Sequence, residues 1–257
     1  MSPASEEVTR PGRRGDGRRA APERKGGPAE VHHEHRDVTG GWLRPAVFGA
    51  MDGLVSNFAL IAGVAGGAAA PKVVVLAGLA GLVAGACSMA AGEYTSVASQ
   101  SELAEAELEV ERTEIRARPQ AEERELAQLY QSRGVEPGLA AQVARQLSRN
   151  PEHALQIHAR EELGVDPHDL PSPLLAAVSS FVSFAIGAIL PVIPYLAGAT
   201  SLWPAAVVAG AGLFTAGAVV SRVTARRWWF SGTRQLVLGG VAAAVTYGVG
   251  HLVGGVF

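Results

Sequence analysis

Asp52 stands in an apolar run from Trp42 to Ala70, and it is the only ionisable residue there past Arg44. A carboxylate at membrane depth costs several kcal/mol, so such residues by default mark a path for ions or protons. A second group of acids lies in a polar block between apolar segments. Glu107, Glu111 and Glu114 fall at i, i+4 and i+7, Glu122 and Glu125 at i and i+3, and His158 and Glu162 at i and i+4. On helices these sets share faces, and like charges so placed repel by a few tenths of a kcal/mol per pair. A divalent cation reverses that penalty, and carboxylates with one imidazole suit Mn2+ or Fe2+ better than thiophilic metals. A solvated acidic face has the same spacing, so the pattern leaves both readings open.

The elements that must carry these groups follow from composition. Of 257 residues, 48% are hydrophobic, 18% are charged and 31 are Gly, which is more Gly-rich and less charged than an average soluble domain. Fifteen of the 24 acids lie between Glu102 and Asp169 against eight Arg and no Lys, a net charge of −7. Apolar segments at about 44–69, 72–98, 172–197, 202–224 and 233–256 each approach the ~20 residues a membrane helix needs. Their glycines, among them Gly78, Gly81 and Gly85, suit close helix packing. Between them the polar block reads as helices over 99–116, 120–132, 137–148 and 151–163, with Pro119 and Gly134 as breaks. Asn150 and Pro151 form the N-cap and first position of the last. The expected architecture is an all-α membrane protein with five transmembrane helices and a helical metal-binding insert between the second and third. Its parts are a disordered tail at 1–41, helices one and two in 42–98, the insert in 99–170, and helices three to five in 171–257.

Arg222, Arg226, Arg227 and Arg234 in the last link, with the Arg-rich tail, place the N-terminus and residues 99–170 on the cytoplasmic side. The tail has no apolar signal-peptide core. Its His32, His33, Glu34, His35 cluster is a weak metal-binding candidate beside the plainer reading of a solvated tail. A single cysteine, Cys87, excludes an intrachain disulfide.

Within the apolar segments, Ser56 and Asn57 lie about one turn past Asp52 and extend a polar stripe. Met89 follows Cys87 and Ser88, and a lone Met in a membrane helix is most often packing. Glu93 lies one turn further and reaches toward water. Pro191 and Pro194 interrupt the third segment, and such breaks free backbone carbonyls. No nucleotide-binding loop is present, so ATP-driven pumping by this chain is not expected. No nucleophile–base pair supports an enzyme. Nothing calls for a prosthetic group or a nucleic-acid partner.

Four stretches together carry a resemblance. They are Asp52-Gly53-Leu54-Val55-Ser56-Asn57-Phe58, Gly85-Ala86-Cys87-Ser88-Met89-Ala90-Ala91-Gly92-Glu93-Tyr94, Glu111-Arg112-Thr113-Glu114-Ile115 and Leu190-Pro191-Val192-Ile193-Pro194-Tyr195. In their order and five-segment frame, residues 42–256 resemble the vacuolar iron transporter family. The resemblance implies a dimeric Fe2+/Mn2+ transporter that exchanges metal for protons, with Asp52 and Met89 lining the path. It also implies metal ligands at Glu111, Glu114, Glu122, Glu125 and Glu162 in the insert. Plant members carry two Met shortly before that last Glu, where this chain has His158 and Ala159, so His158 stands in as a nitrogen donor. Some plant members have an acid where this chain has Gly81. The resulting expectation is an integral protein of the cell membrane, a homodimer in the lipid bilayer, that moves Fe2+ or Mn2+ out of the cytoplasm. The rival of another class is a membrane-anchored metal sensor or buffering scaffold that transports nothing. A buried Asp52 argues against it, because an anchor gains nothing from such a carboxylate.

Overall fold

The computed structural model describes residues 41–224 and 226–256, so the tail and its histidine cluster lie outside the described residues. Nine α-helices and one π-helical turn make up the described chain. They are α1 (Leu43–Gly66), α2 (Pro71–Ala117), α3 (Pro119–Ser132), α4 (Pro137–Leu147) and α5 (Pro151–His158), followed by the π turn (Ala159–Leu163). Then come α6 (Pro173–Ile189), α7 (Ile193–Leu196), α8 (Leu202–Thr224) and α9 (Trp228–Gly254). Proline opens α2 to α6 at the first or second helical position, where its missing N–H leaves no broken bond.

Helices α1, α2, α8 and α9 are long and apolar enough to cross a membrane. The third apolar segment is divided. Helix α6 has 17 residues, about 25 Å. The chain then turns at Leu190–Val192 and resumes in the four-residue α7. The prolines expected to interrupt this segment do so at Pro191.

The second apolar segment and the first helix of the polar block turn out to be one element. Helix α2 runs 47 residues without a break, about 70 Å, more than twice the ~30 Å of a hydrocarbon core. Nothing between residues 98 and 99 could stop it, since no Gly or Pro occurs from Tyr94 to Ala117. Pro119 ends it as expected. At the other boundary, the helix expected over 151–163 changes its winding after His158.

Helix α1 occupies the middle of the apolar bundle and touches α2, α6, α8 and α9. Leu54, Phe58, Ile61, Val74, Tyr195 and Leu213 form its main core. Glycines set the closest crossings. A Cβ at Gly53 would overlap the Phe184 carbonyl oxygen, and one at Gly187 the Ala50 carbonyl oxygen. Helices α1 and α6 therefore meet backbone to backbone, the close approach that small residues permit in membranes. Outward-facing Leu76, Val83, Ile186, Val207, Val241 and Val245 are exposed, as a lipid-facing surface requires.

Candidate functional site

Two groups of polar side chains stand apart on α2. The first lines a cleft of about 500 Å³ between α1, α2 and α6. From α1 come Phe48, Asp52, Ser56, Asn57 and Leu60; from α2 come Gly81, Gly85, Ser88, Met89, Gly92 and Glu93; Phe184 comes from α6. Helical spacing explains the selection, since 48, 52, 56 and 60 share one face of α1, and 81, 85, 88 or 89, and 92 one face of α2. The small residues on α2 leave the space open. The lining holds two carboxylates, Asp52 and Glu93, one thioether, Met89, and no Lys, Arg or His.

Met89 also packs beside Ala86, Phe184 and Ala188, so it serves the core as well as the cleft. Ser56 donates its hydroxyl to the Asp52 carbonyl oxygen at 2.6 Å. Asn57 is only 2% exposed. Its amide nitrogen donates to the Gly78 carbonyl of α2 at 3.1 Å and to the Ala188 carbonyl of α6 at 2.6 Å.

The second group lies where α2, α3 and α5 converge. Glu111, Glu122 and His158 offer donor atoms that all lie within 4.8 Å of one another. His158 Nδ1 is 2.9 Å from Glu111 Oε1 and 2.9 Å from Glu162 Oε1. The fold reaches this arrangement through apolar neighbours. Leu108 and Ile115 flank Glu111 on the inner face of α2, and they pack against Ala154, Leu155 and Ala159, which flank His158. Glu122 sits in the first turn of α3, where the helix dipole favours a carboxylate. Leu126, one turn on, anchors α3 against Ala144 of α4 and Ile157 of α5.

The π turn places Glu162. The Gly164 N–H and the Val165 N–H both bond the Ala159 carbonyl oxygen, closing wider rings than an α-helix does. Gly164 has φ +69°, a left-handed conformation that costs glycine little. Arg133 at the end of α3 pairs with Glu161 and donates to its carbonyl at 3.1 Å, tying the turn to α3. Such π turns recur at functional positions.

His158 is fully buried, and neither ring nitrogen has a hydrogen-bond partner among the described residues. Nδ1 is close to two carboxylate oxygens, but the angles are wrong for a hydrogen bond. A buried imidazole with carboxylate oxygens 2.9 Å from Nδ1, and with Glu111, Glu122 and His158 donor atoms all within 4.8 Å, is a donor set that a divalent cation could bridge. Burial pushes the Glu111 carboxyl up to about 7, with His158 opposing and Glu162, Glu122 and Glu114 adding to the rise. Burial likewise raises Glu122, helped by Glu125.

Of the expected ligands, the structure brings Glu111, Glu122, His158 and Glu162 together. Glu114 and Glu125 are exposed at the rim, close enough to act on the inner carboxylates by charge. Glu107 is exposed on another part of α2. Asp52 and Met89 share the cleft. The sequence reading missed Arg133 as an anchor of the π turn, because nothing local links position 133 to 161. It placed Asn57 on a stripe without foreseeing its hold on two helices.

A profile described as the VIT family matches residues 43–251. A vacuolar iron transporter of Acanthamoeba castellanii is 40% identical over 239 residues, 88% of this chain and 84% of the relative. Vacuolar iron transporter 1 of Oryza sativa subsp. japonica is 34% identical over 227 residues, 86% of this chain and 90% of the relative. Vacuolar iron transporter 1 of Arabidopsis thaliana is 34% identical over 166 residues, 64% of this chain and 66% of the relative.

Proposed function

The chain belongs to the VIT family, an integral membrane metal-transporter family and not an enzyme family, and from that premise we propose that it moves Fe2+ or Mn2+ out of the cytoplasm in exchange for protons. The observation that carries this reading is the single helix α2, which bears donor atoms at both groups: Glu111 in the buried cluster and Met89 and Glu93 in the cleft. Relatives named vacuolar iron transporters support iron as cargo, and the oxygen-rich cluster suits Mn2+ equally.

In this reading five membrane segments, with α6 and α7 counted as one, sit in the cell membrane as a homodimer. Residues 99–170 face the cytoplasm. The buried cluster collects the ion through Glu111, Glu122, Glu162 and His158, while Glu114 and Glu125 draw cations toward it. The ion then passes Glu93 and reaches Asp52 and Met89. Asp52 holds the ion in one half of the cycle and a proton in the other. The thioether gives a borderline metal a weak ligand and disfavours Ca2+ and Mg2+, which prefer oxygen. The chain has no nucleotide loop, so uphill movement draws on the proton gradient.

The test is Mn2+ accumulation in proteoliposomes under an imposed pH gradient, read beside an internal pH dye. Accumulation that follows the gradient while the dye reports proton counterflow is the expected result. Accumulation that ignores the gradient makes the protein a uniporter. Tight Mn2+ binding with no accumulation makes it a membrane-anchored buffer.

A further inference from the structure

Asn57 is a buried polar residue of the cleft that the proposed path has not yet used. Its amide orientation is fixed by chemistry. The atom between the Gly78 and Ala188 carbonyl oxygens, at 3.1 and 2.6 Å, must be the NH2 group, since an oxygen there would face two acceptors. The Ala188 carbonyl is available because α6 breaks just beyond it. The Val192 N–H, which would bond Ala188 in a continued helix, bonds Ile189 instead. Oδ1 therefore points away from those two carbonyls, along α2 toward Gly81, and it is buried with no partner among the described residues. An unmatched buried acceptor is costly, so its survival in this place calls for a reason.

Oδ1 is packed tightly against Gly81 of the cleft wall and covered by Leu60. A Cβ at Gly81 would lie 2.7 Å from Oδ1 and 2.5 Å from Leu60 Cδ2. Gly81, Leu60 and Asn57 all line the cleft, five to eight residues further along α1 than Asp52 for the two α1 members, roughly 8–12 Å. Leu60 is 40% exposed, so its side chain can turn.

We propose that the Asn57 amide oxygen is an inner cation ligand of the cleft, aimed by α2 and α6 and covered by Leu60. A neutral oxygen beyond a charged one gives the ion a second stop that binds without trapping it. Because the NH2 is held by two helices, a cation on Oδ1 also pulls on the contact between α2 and α6. The inference rests on the reading that metal passes through this cleft.

The experiment measures initial rates of Mn2+ and Cd2+ uptake in proteoliposomes against metal concentration. Asn57→Leu removes the oxygen but also both hydrogen bonds, and it can fail by misfolding. The decisive variants are therefore Gly81→Ala, which keeps the Asn57 side chain but crowds Oδ1 and Leu60, and Leu60→Ala, which uncovers Oδ1. Gly81→Ala is expected to raise the half-saturating Mn2+ concentration about tenfold and Cd2+ less than threefold, because the softer ion relies more on Met89. Leu60→Ala is expected to lower the Mn2+ value. Unchanged half-saturation in Gly81→Ala, or an equal loss for both metals, overturns the ligand role and leaves Asn57 as a helix clasp. Failure of the transport reading is separate. It shows in the wild-type protein, which then binds Mn2+ but accumulates none, and the inner ligand falls with it.

Discussion

The buried cluster and the membrane cleft hang on the same helix, about 33 Å apart between Met89 and Glu111, yet they are built on different plans. The cluster draws Glu111, Glu122 and His158 from three helices into one close set of donors, and Glu162 of the π turn reaches His158. The cleft spreads Asp52, Asn57, Met89 and Glu93 along an open wall about 500 Å³ in volume. A close set with mutual repulsion gains most from a cation and holds it well. A sparse set of mixed oxygen and sulfur donors holds it briefly. The difference fits the proposal of capture at one end of α2 and passage at the other.

Asp52→Asn puts that division to the hardest test. Transport is expected to fall at least 100-fold while Mn2+ binding by the full chain stays near wild type. Uptake in liposomes beside calorimetry on the same protein reads both, and loss of binding together with transport would merge the two groups into one.

The reverse change is Glu111→Gln with Glu122→Gln. Calorimetry should show Mn2+ affinity weakened 10- to 100-fold, about 1.4–2.7 kcal/mol, with maximal uptake at saturating metal retained. Equal binding before and after would reduce the glutamates to a solvated acidic face.

The apolar bundle should resist small changes at its crossings less well than the polar helices do. Gly187→Ala drives a Cβ into the Ala50 carbonyl oxygen and is expected to cost about 1–3 kcal/mol, seen as a lower melting temperature in detergent. A melting temperature equal to wild type would mean that α1 and α6 separate freely.

Acid should weaken metal binding by the cluster. Glu111, raised to about 7 by burial, binds a proton that metal must displace. Mn2+ affinity is expected to fall about tenfold between pH 7.5 and 6. The stability of the metal-free protein runs the other way. Glu111 holds more proton folded than unfolded between its ordinary 4.5 and about 7, so stability drops as pH rises through that window. A flat binding profile would remove Glu111 from the ligand set. The smallest effect should come from Glu114→Gln or Glu125→Gln, under threefold in affinity, since both act from the rim.

Much of this was legible in the residues. Proline starts, the stop at Pro119, the break at Pro191 and the one-face placement of Glu111 with Glu114 or His158 with Glu162 are local. Each depends on bonds three to five residues apart, and a single chain displays them directly. Asp52 was legible for a similar reason: an acid in an apolar run has few uses.

Other features depended on segments meeting. The continuity of α2 past residue 98 could be read only by giving up the assumption that a helix ends where the membrane does. The sequence alone determined which side chains share a helix face and where proline opens or ends a helix. Only the tertiary structure decided that Glu122 and His158 close on Glu111, that Arg133 holds the π turn, and that Asn57 binds a carbonyl 131 positions away. The physical reason is range. Helical periodicity is set by hydrogen bonds within a turn, whereas these meetings depend on which faces pack, and that is fixed by Leu108 and Ile115 against Leu155 and by Gly53 against Phe184.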